Sequence, residues 1–114
     1  TGEIPSEIWE MTNLTSLSLN GNQLTGEIPP EIGQLTSLLG LWLNNNELIG
    51  KIPPEIGNLT DLIYLYLYDN QLTECPEEIC NIYPIRDIQL HNNYICGELP
   101  SCLTAEEIGE QDCP

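Results

Sequence analysis

The chain has 114 residues, of which eighteen are acidic and only Lys51 and Arg86 are basic, so its formal net charge at pH 7 is -16. A chain of this length is expected to form a single domain, residues 1–114. So few cations exclude nucleic acid and anionic membranes as partners, because attraction of basic side chains to phosphates dominates those affinities. The most apolar stretch, residues 62–67, is far shorter than the ~18–20 residues that cross a bilayer, so no membrane span is predicted in this segment.

A repeat of 24 residues organises the chain. The motif Gly-x-Ile-Pro begins at Gly2, Gly26 and Gly50. Self-similarity at this period predicts a solenoid, in which each unit buries its apolar side only against its neighbours. A fourth unit lacks the glycine and is one residue shorter. The units are residues 1–24, 25–48, 49–72 and 73–95, followed by a divergent cap at residues 96–114.

The second half of every unit predicts a short strand. In the first unit it reads Leu14-x-x-Leu17-x-Leu19-x-x-Asn22-x-Leu24, and the later units repeat this spacing. Alternating apolar residues turn one face of each strand inward, and successive strands stack in parallel at ~4.8 Å. The prolines suit the opposite, convex return, because proline lacks a backbone donor. The predicted inward residues are Leu17, Leu19, Leu41, Leu43, Leu65, Leu67, Ile88 and Leu90.

One asparagine recurs at the same place in each unit. An amide carries two donors and an acceptor, and it can pair loop backbone groups that would otherwise be unsatisfied. We therefore predict a buried amide ladder rather than a polar active site. Its members are Asn22, Asn46, Asn70 and Asn93.

The leucine spacing and the motif Gly-x-Ile-Pro-x-Glu-Ile together resemble the plant-specific class of leucine-rich repeats found in receptor-kinase ectodomains and polygalacturonase-inhibiting proteins. The resemblance covers residues 1–95. It implies an α/β, β-rich solenoid, namely a right-handed superhelix with a parallel concave sheet, short 3-10 or irregular convex returns and a disulfide-stapled carboxyl-terminal cap. It also implies an extracellular or secreted interaction domain. Family members usually carry a cysteine-bearing amino-terminal cap, which is not present in this sequence.

All five cysteines lie after the third unit, a distribution that indicates an oxidising compartment. Zinc binding is the competing interpretation, but the C-x4-C and C-x5-C spacings lack the C-x2-C pair of structural zinc sites, so no metal or other cofactor is predicted. The carboxyl-terminal segment resembles the family's cap, and this resemblance implies a bond between Cys96 and Cys102. Folding of the tail over the last unit favours a bond between Cys80 and Cys113. Cys75 then stays unpaired or forms an intermolecular bridge.

Two Asn-Leu-Thr sequons, at Asn13 and Asn58, permit N-glycosylation in a secreted protein. The alternative is that both arise from the repeat consensus alone. Asn58 is expected on the outer arc of the solenoid, and Asn13 is expected beside the core residue Leu14.

The outward positions of the predicted strands carry aromatic and polar side chains. Exposed Trp and Tyr among Asn and Asp are typical of protein-recognition surfaces, although neighbouring aromatics also stabilise ordinary sheets. The first interpretation predicts that the concave face binds a protein, peptide or glycan ligand. The candidate ligand-binding residues are Trp42, Asn44, Tyr64, Tyr66, Tyr68, Asp87, Gln89 and His91.

No enzymatic activity is predicted. The single histidine, His91, lies three strands from Ser16 and Ser18, which is roughly 14 Å at ~4.8 Å per strand and beyond the contact distance of a base and its nucleophile. A column of glutamates on the convex return lacks the cleft that a glycosidase needs.

Two alternatives to ligand recognition remain open. Residues 1–24 carry the full apolar pattern without a cap, so they can stack on residues 96–114 of another copy and build a head-to-tail filament, locked by the odd cysteine. Ice binding is the minor alternative, since some plant-type repeat proteins are antifreezes with flat arrays of short polar groups. The hydroxyl column that would serve here is interrupted by an isoleucine, and its positions are Thr1, Thr25, Ile49 and Thr73.

Overall fold

The computed structural model describes residues 2–82, 85 and 87–113. The residues outside this description are Thr1, Tyr83, Pro84, Arg86 and Pro114. The described part of the chain forms a solenoid of short strands, 3-10 helices and one turn of α-helix. In chain order these elements are β1 (Gly2–Glu3), η1 (Ser6–Glu10), β2 (Ser16–Ser18), β3 (Leu24–Thr25), η2 (Pro30–Gln34), β4 (Gly40–Trp42), β5 (Ile49–Lys51), η3 (Pro54–Asn58), β6 (Tyr64–Tyr66), β7 (Gln71–Glu74), η4 (Glu77–Ile82), β8 (Asp87–Gln89) and α1 (Ala105–Ile108).

Four strands form the predicted parallel sheet on the concave side. Its order is β2-β4-β6-β8, so each unit adds one strand beside the strand of the unit before it. The register aligns Trp42 with Ser18 on one side and with Tyr66 on the other, and Tyr66 with Gln89. The repeat period therefore fixes which outward side chains become neighbours.

The apolar core lies between this sheet and the convex 3-10 helices. Seven of the eight predicted inward residues are buried, and Leu19 is only partly buried. Leu19 follows β2, which is an edge strand of the sheet and has a neighbouring strand on one side only. Full burial of one leucine or isoleucine side chain contributes roughly 1.5–3 kcal/mol, so stacking supplies a core that no single unit has alone.

Glycine allows the convex helices to stack closely. A Cβ added to Gly57 would lie 2.6 Å from the carbonyl oxygen of Glu78, and one added to Gly33 would lie 2.9 Å from the Cβ of Glu55. Only a residue without a side chain permits this approach. Two small parallel sheets, β1-β3 and β5-β7, lie beside these helices and were not predicted from the sequence.

The recurring asparagines form the predicted amide ladder. The Nδ2 of Asn70 donates to the carbonyl oxygens of Leu43, Leu67 and Tyr68, and its Oδ1 accepts from the backbone N–H of Leu48. The asparagines of the second and fourth units repeat this pattern, whereas the asparagine of the first unit is exposed. The ladder thus pairs the buried backbone groups at the turn of each regular unit.

A glutamine in the cap extends this ladder by one position. The Nε2 of Gln111 donates to the carbonyl oxygens of Leu90 and Ile108, and its Oε1 accepts from the backbone N–H of Ile95. Gln111 also forms an isolated parallel bridge with Asn93. Ile108 is buried in the place of an inward leucine. The cap therefore closes the solenoid as a degenerate fifth unit, which was not predicted.

The disulfides pair the four predicted cysteines in a different way. Cys80 bonds to Cys102, and Cys96 bonds to Cys113, so the predicted Cys96–Cys102 and Cys80–Cys113 pairs are wrong. Cys75 is free and buried, in agreement with its assignment as the spare thiol.

Two contacts of the cap explain these pairs. The backbone N–H of Asp112 donates to the carbonyl of Asn93, so the tail runs beside the last unit and brings the final cysteine to the first cysteine of the cap. Ser101 donates to Glu77 from both its backbone N–H and its hydroxyl, which holds the adjacent cysteine against η4. The predicted Cys80–Cys113 bond required the tail to return to η4. The tail instead crosses the edge of the last unit.

Candidate functional site

Five rings form a continuous surface on the concave face. We call Trp42, Tyr64, Tyr66, Tyr68 and His91 the aromatic strip, and all five are half-buried. Trp42 stacks on Tyr64 with ring centroids 5.9 Å apart. Tyr68 stacks on His91 at 4.5 Å. Tyr66 joins the two pairs, since its ring lies 6.3 Å from Trp42 and 5.9 Å from Tyr68. These separations are those of favourable aromatic pairs, so the rings hold one another in place.

A glycine on the same strand makes room for the indole of the strip. A Cβ added to Gly40 would lie 2.2 Å from the six-membered ring of Trp42, so the indole packs directly against the Gly40 backbone. The neighbouring residues in the same column are Ser16 and Tyr64, which carry side chains there. The position of Trp42 therefore depends on a residue type that only the second unit has in this column.

A carboxylate fixes the middle of the strip. The hydroxyl of Tyr66 donates to Oδ2 of Asp87, and Nε2 of Gln89 donates to Oδ1 of the same carboxylate at 3.2 Å. The hydrogen bond to Asp87, followed by burial and nearby negative charge, raises the pKa of Tyr66 to about 12. Tyr66 therefore keeps its proton across the physiological range and remains bound to Asp87.

A row of polar side chains borders the strip beyond the strand ends. Nδ2 of Asn44 donates to Oδ1 of Asn45 at 2.7 Å. Asp69 accepts from both sides, from Asn45 at 3.0 Å and from Asn92 at 2.7 Å. Asn45, Asp69 and Asn92 have φ values of 59°, 58° and 58°, a left-handed conformation that Asn and Asp adopt more readily than other side chains. The row is thus held by its own backbone and by hydrogen bonds.

One buried acceptor in this row has no partner. Asn44 is 5% exposed, and its Oδ1 accepts no hydrogen bond from the part of the chain that the structure describes. Backbone hydrogen bonds place Asn44 beside Tyr68, since Asn45 donates to the Tyr68 carbonyl. An unpaired buried acceptor costs roughly 1–3 kcal/mol. The concave face therefore holds an unused hydrogen-bond acceptor next to the aromatic strip.

The strip ends at a notch of about 620 Å³ between β8 and the cap, which we call the acidic notch. Three of its lining residues are carboxylates, and none of its described lining residues is Lys or Arg. Thr104 and Glu107 form a reciprocal hydrogen-bonded cap at the start of α1, which fixes one wall. Its polar lining residues are Asp87, Gln89, His91, Thr104, Glu106 and Glu107.

Cys75 and His91 lie on opposite faces of the described structure. Cys75 follows β7 on the convex side, and burial, followed by the charge of Glu77, raises the pKa of its thiol to about 12, so it is protonated at neutral pH. His91 belongs to the aromatic strip on the opposite face. Among residues 2–82, 85 and 87–113, no group of three or more His, Cys, Asp or Glu side chains is placed to hold a metal ion.

The other sequence candidates lie away from the strip. Asn13, in the turn before β2, and Asn58, the last residue of η3, are both exposed. Thr25, Ile49 and Thr73 lie in the small convex sheets, and Ile49 is 46% exposed, while the Thr1 of that column is outside the described residues.

A groove of about 650 Å³ on the convex side was missed by sequence reasoning. Paired prolines of the second and third units line it together with Ile49, Lys51 and three glutamates. The Pro-Pro dipeptides that these two units share are the signal that could have indicated it.

Leucine-rich-repeat models match two parts of the chain, residues 12–56 as two copies of the repeat and residues 61–82 as one copy. Among solved structures, the chain is similar to a chain of the BIR3–SERK2 complex from Arabidopsis thaliana, with 37% identity, a TM-score of 0.81 and coverage of 87% of this chain and 54% of that one. It is similar to the ectodomain of the Arabidopsis receptor kinase HAESA in complex with an extended IDA peptide hormone, with 41% identity, a TM-score of 0.81 and coverage of 87% and 17%.

A plant ice-binding protein is also similar, with 39% identity, a TM-score of 0.74 and coverage of 81% of this chain and 31% of that one. The chain thus spans about half of the first of these proteins and less than a third of the other two. No curated protein matches its sequence. No helix in the described part of the chain has the length and apolar character needed to cross a membrane.

Proposed function

The chain belongs to the leucine-rich-repeat family, and on that premise we propose that it is a non-catalytic extracellular interaction domain that binds a protein or peptide on its concave face, with a glycan as the remaining ligand class. The observation that carries this proposal is the aromatic strip, in which five rings pack on one another and stay half exposed. Fixed, partly exposed Trp and Tyr side chains are the residues that dominate binding energy in protein interfaces. The similar HAESA ectodomain, which is in complex with a peptide hormone, supports the same assignment.

Two details favour recognition over simple stabilisation of the sheet. The backbone at position 40 would accept a side chain without strain, but the glycine leaves that space to the Trp42 indole. The unpaired Oδ1 of Asn44 lowers stability unless a donor reaches it. The proposed contact residues are Trp42, Asn44, Tyr64, Tyr66, Tyr68, Asp87, Gln89 and His91.

An extracellular location and glycosylation are parts of the same proposal. Two disulfides need an oxidising compartment to persist. Asn13 and Asn58 are exposed and lie outside the strip, so glycans at these positions leave the concave face accessible. Mass measurement of the secreted chain, before and after removal of N-glycans, tests this directly.

The test of the binding surface compares one concave variant with one convex variant. The probe is a pool of acetylated and amidated octapeptides, and binding is followed by fluorescence polarisation. We expect Tyr66→Ala to weaken binding by about 2 kcal/mol, as truncation of an interface hot spot does. Glu31→Ala, in η2 on the convex side, should leave binding nearly unchanged. Equal losses in the two variants would count against the concave site.

Ice binding is the second candidate, because a similar solved structure is that of a plant ice-binding protein. An ice-binding face is expected to be a flat array of short polar groups, but the register places Ile49 between Glu27 and Gln71, so Thr25 and Thr73 do not align with it in one column. We therefore expect no thermal hysteresis from this chain. Hysteresis that disappears in Thr73→Tyr would place ice binding ahead of ligand recognition.

A head-to-tail filament has less support. Residues 110–112 lie beside the last unit and pair with Asn92 and Asn93, so they occupy the edge on which a second copy would stack. Self-association is opposed by the net charge of -16 and should strengthen as salt screens that charge. Sedimentation across salt concentrations decides the matter, because a monomer at every concentration rules out the filament.

A further inference from the structure

We infer that Asn44 makes the concave face selective for a peptide: its Oδ1 accepts a hydrogen bond from a backbone N–H of a ligand that lies on the aromatic strip. This inference rests on the proposed function and chooses a peptide over a glycan as the ligand. Asn44 follows β4, and the sheet register places Asn20 and Tyr68 on its two sides.

Other polar side chains of the concave face have partners within the chain. The Ser18 hydroxyl donates to Oδ1 of Asn20 at 2.7 Å. The Tyr66 hydroxyl donates to Asp87. Among the buried side-chain nitrogen and oxygen atoms that the structure describes, Oδ1 of Asn44 is the one without a partner. Because only 5% of Asn44 is exposed, bulk water does not replace the missing bond, and a donor from a ligand would satisfy it.

Neighbouring hydrogen bonds fix which atom of the Asn44 amide is left open. An ionised carboxylate only accepts, and Asp69 accepts from Nδ2 of Asn45 at 3.0 Å and from Nδ2 of Asn92 at 2.7 Å. This arrangement turns Oδ1 of Asn45 toward Asn44, whose Nδ2 donates to it at 2.7 Å. Turning the Asn44 amide over would bring two oxygen atoms into contact. The open atom is therefore an acceptor, and it requires a donor.

The surroundings of this acceptor favour a neutral N–H group. Both oxygens of Asp69 are taken, so a cation buried at Asn44 would lack a free carboxylate beside it, which is costly. A sugar hydroxyl can donate, but its own lone pairs also lose water on burial, and Nδ2 of Asn44 is engaged with Asn45. A backbone N–H is a donor only, so one hydrogen bond satisfies it. The site therefore selects a peptide over a glycan.

A peptide reaches Asn44 from the side of the first unit. On the other side, Tyr68 is held by its stack on His91, with ring centroids 4.5 Å apart. Asn20, in contrast, is exposed and follows β2, an edge strand of the sheet. Its side chain is the one that can turn aside, which opens Oδ1 of Asn44 to the ligand.

The experiment uses pairs of capped octapeptide pools that differ in one backbone N–H. Glycine or glycolic acid is fixed at each position in turn, because glycolic acid replaces the N–H by an ester oxygen with little change of shape. Binding to the full chain is followed by fluorescence polarisation. At one position we expect the glycine pool to bind at least about fivefold more tightly than its ester partner, the factor that one net hydrogen bond supplies.

The variant Asn44→Leu keeps nearly the same side-chain shape and removes the acceptor. It should abolish the preference for glycine at that position and leave the binding of the ester pool nearly unchanged. The control is Asn20→Ala, which shortens the neighbouring amide and keeps Asn44, so the preference should persist. If Asn20→Ala abolishes the preference as well, or if Asn44→Leu weakens both pools equally, the inference is overturned.

Thermal unfolding of the free chain gives a second readout. Asn44→Leu should leave Tm unchanged or raise it, because it removes a buried acceptor that has no partner. A fall in Tm as large as that of Asn70→Ala would mean that the acceptor is paired in the free chain, and it would overturn the inference.

Two further outcomes separate this inference from the proposed function. If the ester replacement costs no affinity at any position and Tyr66→Ala weakens both kinds of pool, Asn44 does not bind a ligand N–H, while the concave binding surface stands. If no pool of either kind binds, both proposals fail.

Discussion

The third unit and the cap use different side chains to pair equivalent buried backbone groups. Asn70 makes four hydrogen bonds, three from Nδ2 and one to Oδ1. Gln111 makes three, in the same arrangement of donors and acceptor. Asn70 is 7% exposed, while Gln111 is half-buried.

The difference follows from where the backbone lies. In a regular unit the 24-residue period brings each turn to the same place, and the short asparagine side chain suffices. The cap has only the single turn of α1 and does not follow the 24-residue period. The side chain of Gln111, which is one methylene longer than that of asparagine, makes the hydrogen bonds that asparagine makes in a regular unit. Two disulfides then hold the segments of the cap that the repeat geometry does not position. A regular unit is thus held by its neighbours, whereas the cap is held by individual bonds.

The largest effect is expected from the regular unit. Asn70→Ala removes four hydrogen bonds and takes this partner from the N–H of Leu48 and from the carbonyl groups of Leu43 and Leu67, while the third carbonyl still accepts from a backbone N–H. Since each buried unpaired group costs roughly 1–3 kcal/mol and some gain water, we expect the free energy of unfolding to fall by about 4 kcal/mol. Urea denaturation measures it.

The control is Asn22→Ala, which changes the exposed member of the same column. Its Nδ2 donates to the carbonyl oxygens of Leu19 and Asn20. We expect a loss of about 1 kcal/mol, because water can replace these bonds. Similar losses in both variants would show that burial does not set the strength of the ladder.

The second prediction breaks the covalent part of the cap. Cys80→Ala with Cys102→Ala opens a loop closed across 22 positions, which should lower the free energy of unfolding by about 3 kcal/mol. Peptide mapping of the native chain under non-reducing conditions should recover Cys80 with Cys102 and Cys96 with Cys113. Recovery of Cys96 joined to Cys102 would restore the pairing that the family resemblance implied. Cys75→Ala, which removes no bond, is the control.

The third prediction tests the glutamine of the cap. Gln111→Ala should cost about 2 kcal/mol, less than the asparagine variant, because it removes three bonds at a half-buried site. Gln111→Asn should recover little of this loss if the extra methylene is what reaches the two carbonyl groups. Full recovery by asparagine would mean that the backbone of the cap follows the regular register after all.

The regular units were predictable because their information is local and repeated. The spacing of Leu41 and Leu43 within one unit fixes the inward face, and the period fixes the neighbours of Trp42 and Tyr66 in the sheet. The neighbours on the concave face and the amide ladder follow from the leucine spacing and the repeat period alone. The packing of Trp42 on Gly40 does not, because it depends on the rotamer of the indole.

The cap was predictable only in part, because its path depends on contacts that occur once. Five cysteines indicate two disulfides and one spare thiol, and both features are present. The choice of disulfide partners depends on the contacts of Ser101 and Asp112. These contacts occur once, so the repeat pattern of the sequence does not indicate them. The spacing Ile108-x-x-Gln111 matches the Leu-x-x-Asn of the regular units, and this signal could have revealed the fifth position of the ladder.

The smallest expected effect concerns the contact that docks the cap on η4. Ser101 donates to both carboxylate oxygens of Glu77, and these hydrogen bonds lower the pKa of Glu77 below its ordinary value of 4.5. A carboxyl group whose pKa is lower in the folded state contributes stability above its ordinary pKa, and this contribution is lost as the pH falls through the lowered value. Glu77→Gln should therefore reduce Tm slightly at pH 7, and its difference from the unmodified chain should vanish toward pH 3. Glu78→Gln, which removes the neighbouring charge but no bond to Ser101, should show no such convergence. A difference that stays constant across this range would mean that the charge of Glu77 plays no part in docking the cap.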